Sequence, residues 1–555
     1  MKAISAVLLV FTISTAAIAQ IEEARQAMDR GENVRAINIL SDALASKPTP
    51  DIYLELANAY GRTKDYQRAE DTLREGSKRY PHDARFHNQL ADLFLDNNDS
   101  EAAKSELHSA LSVDPNNNYA SDLLATIDMS EGEVQSALRS WNKGGRPLIN
   151  DILHNYYLRF GSWVVRDAVA FHPSGVLSYS EWKTTESRLF ETENFTNAGL
   201  EIEPTQVPDQ YNAVVRTTTK SNSLSNIAFD LLKGAPIETS YFDLWNIGNS
   251  GLNFNSDYRW ETGRRRADAQ FKMPIPVPGL LYLEAGDTWR FERWDLTTIQ
   301  PQNKAQALFD YKSIGPRIHI TAIPQYRLEL GAGFEYRNRN AKGTLPQLFT
   351  GERKMGMLTA DASLRLIDRR YENRLHLEGF ASRRSIIGDT QFSGGTAQLD
   401  NRLTLSKDTR TYLDWTVKGG TSRGNLPVEQ YFMLGLDIYS ENPLRAHRIQ
   451  DHGHYGTGPM GTDFVLVNND IERRLATIPF FNTFDIPYVT VKWQAFFDGA
   501  KTWDRNHIFD EGRLLLDVGG GVRFETPTHA LNLIYGRSLR DGQNLFFAYY
   551  ERRLW

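Results

Sequence analysis

The residues Leu444–Gly461 read LRAHRIQDHGHYGTGPMG and hold three of the chain's 12 histidines, His447, His452 and His454. Arg445, Arg448, Asp451 and a run of glycines lie among them. Imidazoles beside a carboxylate are ligands for zinc or copper. Against a metal site, His452 and His454 are only two apart, the spacing of structural zinc sites is absent, and a glycine-rich loop places ligands poorly. No metal is expected here. No Gly-x-Ser-x-Gly, His-Glu-x-x-His or phosphate-binding loop occurs in the chain, so neither an enzyme nor a cofactor is expected.

What this loop does depends on the elements that carry it. The chain has 555 residues, a formal charge of -6, 24 Tyr, 28 Phe, 11 Trp and no cysteine. Mild acidity spread over this length leaves no footprint for nucleic acid. The opening MKAISAVLLVFTISTAAIAQ has a basic start, an apolar run and a small-x-small site at Ala17-Ile18-Ala19. This predicts a signal peptide over residues 1–19, with no cysteine after it to carry a lipid. An exported chain without cysteine is stabilised by its fold alone. No later apolar run approaches the roughly 18–20 residues of a spanning helix. If the chain enters a membrane it must do so as a closed β-barrel, the other way to satisfy a backbone in lipid.

Residues 20–148 are periodic. Leu56-Ala57, Tyr60, Ala69, Leu73, Gly76 and Pro81 recur one 34-residue step later as Leu90-Ala91, Phe94, Ala103, Leu107, Ala110 and Pro115. Ala36, Leu40, Ala43 and Pro48 precede them, and Leu124-Ala125 and Ala137 follow. This is the tetratricopeptide (TPR) pattern of stacked helical pairs. Such stacks leave a groove that binds peptide segments; Tyr53, Tyr60 and Phe94 are the candidate client contacts, and a plain spacer arm is the alternative.

Residues 160–222 change character. Trp163–Phe171 reads as a strand, followed by a Pro-Ser-Gly turn, a helix carrying Leu189 and Phe190 on one face, and strands around Ala198–Ile202 and Tyr211–Thr217. From residue 225 to 555 the period is two. In YRLELGAGFEYR, Tyr326, Leu328, Leu330, Ala332, Phe334 and Tyr336 share one face, and Arg327, Glu329, Glu335 and Arg337 the other. At roughly 20 residues per strand and connection, this stretch predicts about 16 strands of a membrane barrel. Arg264-Arg265-Arg266 is expected at a barrel turn or lumen edge, Trp245–Gly251 in an early strand, and Gly519-Gly520-Gly521 at a bend of the wall. The chain ends on Trp555, as such barrels often end on an aromatic residue.

Two resemblances follow. Val176-Leu177-Ser178, Arg188-Leu189-Phe190 and Asn194–Ala198 resemble a POTRA module, the small periplasmic domain that precedes certain outer-membrane barrels. The last 125 residues resemble the barrel end of the outer-membrane insertase and two-partner secretion superfamily, the bacterial surface antigen family. In that family a long loop, here 443–461, folds into the lumen and carries an Arg-Gly-aromatic motif. An Asp on a later Phe-x-Asp-x-Gly strand pairs with its Arg. The loop motif here would be Leu444, Arg445, Ala446 and His447. The strand motif would be Phe496, Asp498 and Gly499, with Asn469–Leu475 on the strand between. Alanine stands for the motif glycine, histidine for its aromatic, and Ala500 for the strand glycine. Alternation in VTVKWQAFFD independently puts Thr490, Lys492, Gln494, Phe496 and Asp498 on the lumen side.

The fold class expected is therefore mixed: an all-α TPR arm, a small α/β module and a transmembrane antiparallel β-barrel. The resemblance implies a bacterial outer-membrane transporter with its N-terminal domains in the periplasm. Its partners would be unfolded outer-membrane or secreted polypeptides, outer-membrane lipids and, through the TPR arm, periplasmic accessory proteins, with a monomeric barrel. The alternative is an exopolysaccharide export porin, which also joins TPR repeats to a barrel with a charged lumen.

Overall fold

The structure is a computed structural model and describes residues 19–154, 162–207, 210–296, 308–344, 354–368, 371–384, 388, 390–406, 409–437, 441–483, 486–505, 509, 512–526 and 529–552. The expected leader up to Ile18, and Trp555, lie outside these residues. The chain forms two compact units. One holds the residues up to Ile152 with 172–179 and 201–213; the other holds 153–171, 180–200 and everything from Val214.

The first unit is built of antiparallel helical pairs. Helix α1 covers residues 19–29. It is followed by α2 (Asn33–Ser46), α3 (Pro50–Arg62), α4 (Tyr66–Arg79), α5 (Arg85–Asp96), α6 (Ser100–Val113), α7 (Asn118–Ser130) and α8 (Val134–Trp141). Local chemistry sets the ends. Thr49, Asp65, Asp99 and Asn117 cap their helices by accepting backbone N–H groups three residues on. Pro48, Pro81 and Pro115 each follow the close of a helix. The repeated small residues let helices approach. A Cβ on Gly76 would lie 2.3 Å from the Phe86 ring, and Ala69, Leu73, Phe86 and Leu90 share one core. Tyr53, a candidate client contact, belongs to that core: its ring is 2% exposed and its hydroxyl donates to Glu75. Packing accounts for it, and it offers no face to a ligand. Tyr60 and Phe94 are partly buried against the same cluster.

The α/β stretch departs from its expected order. Trp163 does not begin a strand. Residues Ser162–Ala168 form helix α9, because Val164, Val165 and Ala168 are all buried, a spacing that fits one helical face and not the alternating faces of a strand. The strand that opens the module is β1 (Leu148–His154), ahead of the expected boundary at 160. Helix α10 (Tyr179–Glu191) and strands β2 (Phe195–Pro204) and β3 (Gln210–Thr219) complete it. The sheet order is β1–β3–β2. On α10, Leu189 is buried but Phe190 is exposed, so the two do not share a face.

Helix α11 (Leu224–Lys233) leads into the barrel. The wall runs β4 (Thr239–Ile247), β5 (Leu252–Arg259), β6 (Arg264–Ile275), β7 (Leu281–Asp295), β8 (Leu308–Gln325), β9 (Leu328–Gly343), β10 (Lys354–Asp368), β11 (Tyr371–Ser382), β12 (Phe392–Ser406) and β13 (Thr411–Gly424). The next segment carries four two-residue strands: β14 (Phe432–Met433), β15 (Gln450–Asp451), β16 (His454–Tyr455) and β17 (Met460–Gly461). The wall then resumes with β18 (Asp463–Thr483), β19 (Ile486–Trp503), β20 (Leu515–Glu525), β21 (His529–Ser538) and β22 (Asn544–Arg552). The closed sheet has 17 strands, of which β15 and β16 belong to the inserted segment. Each wall strand pairs antiparallel with the next, and β13 pairs with β18.

Alternation makes this domain inside out. Ile314, Ile318, Leu330, Leu358, Leu377, Val417, Phe497 and Phe546 are exposed on the outer face. Lys272, Asp268, Arg402, Glu472, Lys492 and Glu525 are buried on the inner one. An apolar girdle around a charged interior is what lipid outside a barrel requires. No described helix is long and apolar enough to cross a membrane. One expected position shifts: β9 begins at Leu328, so Tyr326 is a turn residue. It is buried against α10, where its N–H donates to Thr184 Oγ1 (3.0 Å). That turn belongs to the end of the barrel gripped by α10. Arg188 donates to the Ile323 and Pro324 carbonyls (3.0 and 3.2 Å), and Lys272 reaches Glu191 (2.6 Å) and Glu193 (3.0 Å).

Leu107 is fully buried between repeats. Leu107→Ala should cost about 2–5 kcal/mol in urea unfolding followed by the helical circular-dichroism signal. A loss well under 1 kcal/mol would contradict the packing described.

Candidate functional site

The described part of the connection from β13 to β18 folds into the barrel. Leu434, Leu436, Leu444, Ala446, Ile449 and Met460 are buried. The pair β14–β17 closes the base of the segment, and the hairpin β15–β16 leads Tyr455 to a parallel bridge with Trp294 on β7. Close backbone approach sets where glycine is needed: a Cβ on Gly263, which has φ +77, would lie 1.7 Å from the Gly453 carbonyl oxygen.

Four charged anchors hold this segment to different parts of the wall. Glu429 pairs with Arg339 on β9 (2.5 Å) and accepts from the Tyr311 hydroxyl of β8 (3.2 Å). Asp437 pairs with Arg259 on β5 (2.8 Å) and Arg264 on β6 (2.5 Å). Arg445 reaches β18 and β19: its Nε donates to Asp498 Oδ2 (2.8 Å), its Nη2 to Asp498 Oδ1, and its Nη1 to Asp470. Its backbone N–H also donates to Asp498 (3.1 Å), and its guanidinium lies 3.9 Å from the centre of the Phe496 ring. Asn468 ties the set together, donating to both Asp498 Oδ1 and the Pro443 carbonyl (2.8 Å each). At the fourth anchor the His447 ring nitrogens face Asp517 of β20 (3.1 Å) and Asp541 of the β21–β22 loop (3.2 Å), while the Ala446 N–H donates to Asp517 (2.7 Å).

Electrostatics follow from this geometry. Burial alone would raise the Asp437 carboxyl; Arg264 and Arg259 outweigh it and hold the group far below the usual carboxylate range. Burial alone would lower His447; Asp517 and then Asp541 outweigh it and raise the imidazole above its ordinary value. An imidazole that faces two carboxylates can donate to both only as the cation. The bidentate contact of Arg445 with Asp498 adds geometric specificity to charge.

The residues singled out in the sequence distribute as follows. Leu444, Arg445, Ala446 and His447 are all buried in the lumen, and Phe496 and Asp498 face them. Gly499 lies on the opposite face of β19 and takes no part in the contact. Arg264 is a lumen anchor, while Trp245–Gly251 form the end of β4 and its turn. His452 sits exposed at the tip of the β15–β16 hairpin with its ring beside Asp451 (2.9 Å). It lies five residues from the buried His447 but outside that anchor, and among the described residues no group of three histidine, aspartate or glutamate side chains is arranged to hold a metal. The inserted segment begins earlier than the expected residue 443, so Glu429 and Asp437 were missed, as were Asp470, Asp517 and Asp541. Asp470 was legible: Asp470 and Glu472 alternate onto the lumen face of the strand quoted as Asn469–Leu475. Beside the segment lies a cavity of about 220 Å³ lined by Arg402, Asp414, Lys418, Glu441, Asp470 and Glu472, among others.

The family model for the tetratricopeptide repeat matches residues 27–93 and 63–127. No curated protein matches the chain. Among solved structures, CdiB from Escherichia coli is similar at a TM-score of 0.51 and 11% identity, over 73% of this chain and 76% of that one. CdiB from Acinetobacter baumannii gives a TM-score of 0.49 at 11% identity, over 81% and 82%. BamA from Haemophilus ducreyi lacking POTRA domains 1-3 gives 0.44 at 11%, over 73% and 84%. The likeness to the Escherichia coli protein is one of fold.

Two outcomes test the site. Arg445→Asp or Asp498→Arg alone strands a buried charge and should cost about 3–5 kcal/mol, read as faster proteolysis of the inserted segment. The double exchange should recover more protection than either single variant; equal damage in all three would refute the pairing. The second concerns pH. A group whose pKa is higher folded than unfolded adds stability below its unfolded value, about 6.5 for histidine, and loses it as pH rises through the folded value. The segment should therefore become more protease-sensitive on raising pH above about 6.5, and His447→Phe should remove that dependence. An unchanged pH profile in the variant would exclude the imidazole as its source.

Proposed function

We propose that this protein is an outer-membrane transporter that inserts polypeptides into the outer membrane or secretes them across it. The observation that carries the proposal is the inserted segment itself, held in a charged lumen by Arg445 on Asp470 and Asp498. This is the arrangement that the insertase and two-partner secretion resemblance implies. The TPR match and the fold shared with CdiB from Escherichia coli support it.

In this reading residues 20–148 stand in the periplasm as an arm that recruits unfolded clients or accessory proteins. The small module from β1 to β3 is POTRA-like and adds an extended client segment to a sheet edge. The barrel, 225–555, stands among outer-membrane lipids as a monomer. The client then folds at the seam between the first and last strands, or threads the lumen when the anchored segment moves. Neither route draws on a nucleotide; the folding of the client supplies the free energy.

Depletion of the protein, with quantification of outer-membrane proteins, secreted proteins and surface polysaccharide, tests the proposal. Loss of many barrel proteins is expected of a general insertase, and loss of one or two proteins of a dedicated transporter. An intact proteome with one polysaccharide missing would overturn the proposal in favour of an exopolysaccharide export porin.

A further inference from the structure

The residues 220–238, with helix α11 at their centre, run beside β4 in the opposite direction. Asn222 meets Trp245, Leu231 meets Ser240, and Gly234 meets Thr239. Asn222 accepts from the Trp245 N–H (2.8 Å) and donates to its carbonyl (2.6 Å), the two bonds that a residue on a neighbouring antiparallel strand would supply. Ser240 Oγ donates to the Leu231 carbonyl (2.9 Å), and the Thr239 N–H to that of Gly234 (3.0 Å). Lys233 lies between Asp230 (2.7 Å), Asp243 (3.7 Å) and the Tyr241 ring. The two flanks of a helix thus meet backbone groups at both ends of β4 that a neighbouring strand would otherwise meet.

This segment is patterned as a helix. Ser223 caps it, Leu224, Ile227, Ala228 and Leu231 recur at helical spacing, and Gly234 and Pro236 end it. No α11 residue is buried, and Leu224, Leu231 and Leu232 are exposed. The direction of the wall adds a second constraint. The described wall has 15 long strands, each antiparallel to the next, so β4 and β22, which meet in the closed ring, run the same way. One extended segment laid antiparallel to β4 would be antiparallel to β22 as well, and would give the ring the even count of bacterial single-chain barrels.

We propose that α11 is a displaceable cover on the β4 side of the seam, and that what displaces it is an extended segment of an unfolded client, alternating apolar and polar residues along the nine of β4. This rests on the polypeptide-transport reading above. Asn222 on the Trp245 backbone and the Gly234 carbonyl on the Thr239 N–H hold the edge of β4 until the client's own backbone replaces them.

The chain has no cysteine, so Leu231→Cys with Ser240→Cys gives a single disulfide that reports and locks the cover. In the full-length protein in outer-membrane lipid vesicles, the pair should cross-link nearly completely at rest. Adding a urea-unfolded outer-membrane barrel protein should lower the yield at least threefold, and the same protein prefolded should not. In cells, the oxidised pair should block whatever proteins depletion showed to depend on the wild type, and reductant should restore them, which separates locking from misfolding. An unchanged cross-linking yield with unfolded client, or full activity of the locked protein, would overturn the cover. If depletion removes only a polysaccharide, the transport reading falls; if it removes proteins while the lock is harmless, only the cover falls.

Discussion

A guanidinium removed from bulk water has to be met by acceptors, and the lumen around Arg445 is arranged to meet it with carboxylates. Its partners lie on two adjacent strands, Asp470 on β18 and Asp498 on β19, and in register they are offset by one pair: Asn468 faces Asp498 and Asp470 faces Phe496. A slip of one strand by one residue in that hairpin would turn its carboxylate toward lipid, where it is costly, and away from Arg445. The register of the longest described hairpin and the path of the inserted segment therefore share one dependence. Asp498 further accepts from the Arg445 backbone and from Asn468, so the contact fixes the main chain of the segment as well as its side chain.

The other anchors follow the same logic. Asp437 draws on β5 and β6, Glu429 on β8 and β9, and His447 on β20 and the loop before β22. Three of the four use arginine, which stays charged at any relevant pH. The fourth uses the one side chain that titrates near neutrality. At the other end of the barrel, Arg188 of α10 caps carbonyls of the β8–β9 turn.

How much of this was legible follows from what each signal depends on. The TPR helices were, because their small residues repeat at a fixed period and Pro48, Pro81 and Pro115 mark the turns. The barrel wall was, because alternation is local. Asp498 could be assigned to the lumen from VTVKWQAFFD alone. The role of Tyr53 was not legible, since a tyrosine facing a groove and one filling a core look alike until the neighbouring helix is in place. Trp163–Phe171 misled because apolar neighbours fit either a buried helix or a strand. Asp437 and Glu429 were hidden because their partners, Arg259, Arg264 and Arg339, are roughly 90 to 180 residues away and no local pattern links them. Asp541 lies in a surface loop whose approach to His447 is a property of the closed ring.

The wall is not of even height. β18 and β19 have 21 and 18 residues and β8 has 18, whereas β4, β5, β21 and β22 have 9, 8, 10 and 9. At about 3.3 Å per residue and a tilt near 40°, the short group reaches only about 20–25 Å along the bilayer normal. A hydrocarbon layer of roughly 30 Å must compress to meet it. Among the described residues the wall is thus lowest on the flank where the first and last strands meet, and a bilayer fitted to it would be thinnest there.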